Sequence, residues 1–405
     1  MAWTSPKTWA ADELLTASDL NQYLSDNLSA LYALTQGGGR KNLLHNGAMQ
    51  VHQRGTSVTG ITSTTAYSGG TWTGGAGYFT ADRWLFAPGT LGTWTQSVEA
   101  DAPTGSGFRK SLKVLITANA DTAPVDAGDY AFIQASIEGQ NAQTIKKGTT
   151  SAEQVTLSFW VKSNKTGTYV VEVADADNTR HVAATYTIDS SATWEQQTIT
   201  FPADLSGALD NDNAYSLGVL WWLAAGSTYN SGTLPSVWAA KSDANRAVGQ
   251  TNLAETNNNY LQITGVQLEV GSAATGYEFK NYEQELAECQ RYYQKFWADS
   301  AVSGNAAHIG TGQITSTTAA YIQVPLACQM RIAPAFSYAG TVGVGTYSVA
   351  SVAITSGSTY AAPQDNLVVV SLANTGATWN TANAPAVLIV AASTGGSYVA
   401  FSADL

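Results

Sequence analysis

The sequence predicts a mainly β protein in which two β-sandwiches are joined by short helices. Three observations lead there. Hydrophobic residues make up 44% of the chain, with 12 Trp and 19 Tyr among them, while charged residues make up only 12%. Thr and aromatic side chains suit half-buried pleated strands, and Gly and Asn supply the turns between them. Short apolar or alternating runs bounded by Gly, Asn, Asp or Ser recur along most of the chain. Finally, 405 residues exceed what one core ordinarily organises, which points to two domains or three.

Residues 1–40 read as an arm followed by a helix over 16–35. Thr16 lies three residues before Asp19, a cap-like start that satisfies free backbone N–H groups and sets an acid against the helix dipole. Leu20, Leu24, Asn27, Leu31 and Leu34 then follow a 4-3-4-3 spacing, the seam of a short coiled coil, with Asn27 available to fix register and strand number. An amphipathic helix lying on its own domain fits the same spacing. Gly37, Gly38 and Gly39 end the helix and leave a joint.

Residues 41–281 read as strands and turns of a two-sheet sandwich: SLKVLITAN, VTLSFWVKSN, GTYVVEVAD, WEQQTITFP, YSLGVLWWLAAG and NYLQITGVQLEV. Trp221 and Trp222 are adjacent on one of these strands, so their side chains point to opposite faces. One belongs to the core, and the other meets solvent, a neighbouring element or a ligand. With Tyr229 and Trp238 they form the candidate glycan-stacking set, since aromatic rings stack on sugar faces; packing under a loop or at a subunit contact is the alternative. Asp204, Asp210 and Asp212 in DLSGALDNDNAY could line an oxygen-rich calcium loop, but the glycine and closing glutamate of the EF-hand pattern are missing, and a turn is the better reading.

Residues 282–297 concentrate charge beside Cys289, one of 2 cysteines. Glu283 and Glu285 come early and Arg291 and Lys295 late, the order that complements a helix dipole. Gln284 stands three residues after Asn281, as in a capping box. Tyr282, Leu286, Cys289, Tyr293 and Phe296 repeat at 4-3-4-3 spacing as one apolar stripe. The segment is therefore expected to be a connecting helix, with Cys289 a small packing residue and not a nucleophile. Residues 298–405 read as a smaller sandwich with very few charges, a composition that favours burial between copies of the chain.

Several function classes are disfavoured. A net charge of -11 repels polyanions, so no nucleic-acid partner is expected. The start MAWTSPKTWAADELL lacks a basic region followed by an apolar run, and NLVVVSLAN and APAVLIVAAS are too short to cross a bilayer, so neither export nor membrane insertion is expected. Cys289 and Cys328 are expected as reduced thiols. His45 and His52 lie seven apart on opposite faces of an extended segment, which argues against a metal shared between them. There is no G-x-S-x-G elbow, Walker loop or legible acid pair, so neither an enzyme nor a cofactor is expected.

Three blocks carry a family resemblance: NLLHNGAMQVHQRGTS (42–57), YFTADRWLF (78–86) and ITGVQLEVGSAATGYEFKNYEQELAECQRYYQKF (263–296). They resemble the signature of tailed-bacteriophage fibre and receptor-binding proteins, in which an asparagine-glycine start, a Q-R-G turn and an A-D-R-W strand open a jelly-roll domain similar to carbohydrate-binding modules. A Q-L-E-x-G-x-x-A-T segment and a C-x-R-Y-Y helix close it. Gly276, Tyr277 and Lys280 depart from the pattern. The start WTSPKTWAADELLTASDLNQYLSDNL resembles a segment of phage structural proteins. The resemblance implies a homotrimeric virion component, docked through the arm bearing Trp3 and Trp9, assembled in the host cytoplasm and exposed on the particle to attach to a host-surface glycan. A capsid or tail connector without receptor binding is the alternative, and a polysaccharide depolymerase a weaker one.

Overall fold

In a computed structural model the chain is described at residues 14, 16–19, 41–62, 77–118, 125–297, 306–346, 349–364, 366–374, 379, 384–391 and 397–405. Trp3, Trp9, Leu20, Leu24, Asn27, Leu31 and Leu34 lie outside them. The cap-like start is present: Asp19 N–H donates to Thr16 Oγ1 at 3.1 Å, and Thr16 N–H donates back to Asp19 Oδ2 at 3.1 Å.

The protein is mainly β, with antiparallel sheets in sandwich-like arrangement and few short helices. One six-stranded sheet runs in the order β1 (Ser57–Ile61), β3 (Thr93–Glu99), β4 (Ser111–Ala118), β12 (Tyr260–Val270), β6 (Val155–Ser163), β9 (Glu195–Phe201). The facing six-stranded sheet runs β11 (Ala239–Ala240), β8 (Arg180–Ile188), β7 (Gly167–Asp175), β10 (Tyr215–Ala225), β5 (Tyr130–Glu138), β2 (Trp84–Gly89). Each of the six runs read as strands in residues 41–281 is a strand here.

Period-2 alternation builds the core between these sheets. Val155, Leu157, Phe159 and Val161 enter it from β6, and Leu217, Val219, Trp221 and Leu223 enter from β10. Thr156 and Ser158 face away from that cluster, and Thr156 Oγ1 meets Thr200 Oγ1 at 3.0 Å across the β6–β9 pair. Gly47 shows why a glycine follows Asn46, because a Cβ there would lie 2.0 Å from the Val266 carbonyl oxygen.

The connecting segment differs from the expected continuous helix. The helix spans Tyr282–Gln290, and Tyr293 and Phe296 belong to strand β13 (Tyr293–Trp297), paired with β22 (Tyr398–Ser402). The stripe Tyr282, Leu286, Cys289, Tyr293, Phe296 is therefore split. The cause is non-local: β22 offers its backbone edge, and aromatic residues pair well in strands. Within the helix the buried residues are Glu285 and Cys289, whereas Tyr282 is 50% exposed. Asn281 makes no side-chain cap bond. Burial pushes the Cys289 thiol well above its ordinary range, with Asp82 and Glu285 adding to the shift, as suits a packing residue.

The remaining strands surround a second hydrophobic cluster that includes Ile322, Val370, Leu388 and Phe401. A seven-stranded sheet runs β18 (Val349–Ala353), β17 (Val342–Thr346), β21 (Pro385–Ala391), β14 (Ala306–Ser316), β15 (Ala319–Pro325), β20 (Leu367–Ala373), β19 (Ser356–Gln364). None of its strands carries Asp, Glu, Lys or Arg. A three-stranded sheet places β22 between β13 and β16 (Ala335–Ala339).

Gly47→Ala forces a methyl group into the Val266 carbonyl, and the backbone around both residues has to separate. The expected loss is about 2–3 kcal/mol of unfolding free energy, measured by chemical denaturation. An unchanged midpoint would show that the Gly47–Val266 approach is looser than described.

Candidate functional site

The residues of the family-like blocks converge on an interior joint between the two clusters. Asn46 takes a left-handed backbone, φ 54°, and its side-chain amide donates to the Val51 and Asp82 carbonyls at 2.8 and 2.9 Å. Its own carbonyl accepts the Trp84 indole N–H at 3.0 Å. Asn42 ties the first residues to β12, donating to Val266 O at 3.0 Å and accepting Leu268 N–H at 3.1 Å. Asn42 and Asn46 thus close the sandwich on itself.

Arg54 sits at the centre of this joint. Its guanidinium lies 3.4 Å from Asp82, pairs with Asp404 from the far end of the chain, and stacks 3.6 Å from the Tyr293 ring centroid. The side chains of Arg54, Asp82 and Asp404 are 9%, 1% and 2% exposed. Gln53 bonds both Asp82 and the Tyr293 carbonyl. Beside it, Arg83 adopts φ 74°, donates to Ser136 O at 2.8 Å and lies 3.4 Å over the Tyr292 ring. Arg291 holds Glu138 through two 3.0 Å bonds, and Tyr292 Oη donates to the same carboxylate. Arg331 closes the far side onto the carbonyls of Ala403, Asp404 and Asn213 at 2.8, 2.7 and 3.0 Å.

The four aromatic candidates do not form one site. Trp221 is fully buried in the main core, 5.5 Å from Trp84 between ring centroids. Trp222 does point to the opposite face, but it too is fully buried. Residues 226–247 fold back over that face: Tyr229 lies 5.6 Å from the Trp222 ring, Arg246 lies 4.9 Å above it, and the indole N–H reaches Glu172 at 3.1 Å. Trp222 therefore has no surface to offer a sugar, which corrects the expectation for it and for Trp221. Tyr229 and Trp238 keep partial exposure. Tyr229 packs edge-on to Tyr130 over β5 and β10, whereas Trp238 stands beside the β8 edge, so the two are not joined.

Trp238 lines a shallow cleft at one end of the sandwich, with a cavity of about 10 Å³, room for about one water molecule. Its walls include Val155, Val173 and Leu268, with Lys147, Glu153 and Asp204 as the polar part. The Trp238 indole N–H is fixed on the Pro202 carbonyl at 2.9 Å, and the Lys147 ammonium lies 4.8 Å from its ring centroid. Lys147 is itself held by Asp175, by Asp204 at 2.9 Å and by the Gly207 carbonyl at 2.8 Å. Arg180 clasps Asp204 at 2.8 and 3.0 Å. Burial raises the Asp204 carboxyl, but bonds from Arg180 and Lys147 outweigh it and hold the group below its usual range. Asp204 is thus committed to two cations, and further on Asp212 Oδ1 accepts the Ala214 N–H at 2.9 Å in the bend before β10. No spacing along the chain pairs Lys147, Asp175 and Arg180 with Trp238, because they meet only through the fold.

Chemically, Trp238 offers a half-exposed indole beside charged, hydrogen-bonding side chains, so a polar ring could meet it from the surface and not inside the cleft. The carboxyl that does rise toward neutrality, Asp82, lies in the Arg54 joint: burial pushes it up to about 6 from 3.8, against the pull of Arg54.

No sequence-family profile matches this chain, and no curated protein matches it. Solved structures show distant similarity. The enzymatically active domain of bacteriophage CBA120 tailspike protein 4 aligns at TM-score 0.27 and 13% identity over 46% of this chain, which spans 19% of that one. The family 11 carbohydrate-binding module of the Clostridium thermocellum cellulase Lic26A-Cel5E aligns at TM-score 0.27 and 12% identity, covering 54% of this chain and 98% of that one. A CBM4 structure aligns at TM-score 0.27 and 9% identity, covering 56% and 99%.

The raised Asp82 carboxyl has a signed consequence. Between the unfolded value of 3.8 and about 6, the folded state binds a proton that the unfolded chain has released. Stability contributed by Asp82 therefore falls as pH rises through that window and levels off above it. Relative to Asp82→Asn, the wild type is expected to lose on the order of 2–3 kcal/mol between pH 4 and 6, read from denaturant titrations. Parallel curves for the two proteins would show that Asp82 titrates normally.

Proposed function

We propose that this chain is a virion-surface protein of tailed-phage fibre type that attaches the particle to a host-surface glycan. The carrying observation is the half-exposed Trp238 ring, fixed by its indole N–H on the Pro202 carbonyl and flanked by the Lys147–Asp204–Arg180 ion pairs at the end of a β-sandwich. The resemblance of blocks 42–57, 78–86 and 263–296 to fibre proteins supplies the virion context. In this reading the chain is a non-enzymatic homotrimer, residues 1–40 dock it on other virion proteins, and residues 298–405 form the outward tip. Weak single contacts with a glycan multiply over the copies on one particle.

A second reading, a connector or decoration protein without a receptor, is favoured by the charge-free strands of the seven-stranded sheet, whose composition suits coverage by other virion subunits. Imaging of the particle separates the two, since a connector has that sheet covered and an attachment protein has it outward.

The glycan reading is tested by binding purified protein to susceptible host cells and to extracted surface polysaccharide. Trp238→Ala, with its fold checked by circular dichroism, is expected to bind about 10-fold more weakly, as loss of one stacking ring implies. Trp222→Phe, buried under residues 226–247, is expected to bind as the wild type does. Full binding by Trp238→Ala would remove Trp238 from the account, and failure of the wild-type protein to bind or to block adsorption would remove the attachment role.

A further inference from the structure

His45, Glu285 and Glu288 meet where residues 41–46 cross the connecting helix, and the nitrogen and carboxylate oxygens they offer lie within 4.8 Å of one another. The pairing is long-range, with His45 and Glu288 separated by 243 positions in sequence. His45 and Glu285 are each 8% exposed, and the Glu288 side chain is 23% exposed, so the group is buried on one side and open on the other. His45 Nδ1 lies 2.8 Å from Glu288 Oε2. Adjacent donors of a tetrahedral ion with bonds near 2.1 Å are separated by roughly 3.4 Å, so this pair needs to open by about half an ångström to chelate zinc. The shell around the donors is fixed as metal ligands require: Asn46 N–H donates to Glu285, and the His45 ring packs 5.7 Å from Tyr292.

Glu288 is also paired with Lys280, whose ammonium is 2.8 Å from Glu288 Oε2 and whose side chain is 5% exposed. Lys280 is therefore the resident competitor for the same oxygen.

We propose that His45, Glu285 and Glu288 bind a first-row divalent transition metal, zinc or nickel, which fastens the start of the sandwich to the connecting helix. One imidazole with two carboxylates suits these ions better than magnesium or calcium, which prefer all-oxygen shells. The proposal is independent of the glycan reading.

The test uses the full chain, freed of metal with a chelator and dialysed against micromolar zinc chloride. About one zinc per chain is expected by elemental analysis, with a rise in Tm of about 3 °C or more. His45→Gln and Glu288→Gln are expected to abolish both, and His308→Gln, an exposed residue on β14, to change neither. Lys280→Met, which removes the competing ammonium and keeps the length, is expected to bind zinc severalfold more tightly. Metal content near zero in the wild-type chain would overturn the proposal without any variant. So would zinc retained equally by His45→Gln and Glu288→Gln.

Discussion

The structure depends on a buried guanidinium shared between carboxylates that come from opposite ends of the described chain. Arg54 reaches Asp82, Asp404 and the face of Tyr293 at once, so one side chain of the opening segment contacts the turn before β2, strand β13 and the residues after the last strand. Ions this deeply buried cost several kcal/mol each to desolvate, and the cluster is not a cheap source of stability. It supplies direction, because two carboxylates and one ring plane fix where the guanidinium must lie, and with it the relative placement of two hydrophobic clusters. Removing Arg54 would leave two carboxylates buried and uncompensated, a loss of about 3–5 kcal/mol.

Around that centre the joint is built in layers. Arg83 over Tyr292, Arg291 on Glu138 and Arg331 on the 403–404 carbonyls extend it, each pairing a cation with a partner from another part of the chain. Residues 42–57, 78–86 and 263–296 supply most of these groups, so they act together as a closure, and Trp238 stands outside it.

Local chemistry made much of this legible. Alternation and turn residues located the strands of the large sandwich, since a strand buried on one face must repeat every second residue. The inert packing role read for Cys289 also follows from local pattern. What failed was anything decided across the fold. YYQKFW (292–297) carries a helical spacing through Tyr293 and Phe296, its aromatic residues suit a strand equally, and only the presence of β22 selects the strand. Parity correctly sent Trp221 and Trp222 to opposite faces, but no local pattern announces that residues 226–247 return to cover the second. Lys147, Asp175, Arg180 and Asp204 were illegible as a group for the same reason, being paired by sheet geometry alone.

The central claim, that Arg54 holds the two β units and their connector in one arrangement, is tested most directly by hydrogen exchange on Arg54→Leu. The account predicts faster exchange than wild type in four separated regions together: 50–56, 78–86, 290–297 and 398–405. Loss of protection confined to residues beside position 54, with the last strand and connector as protected as before, would contradict it.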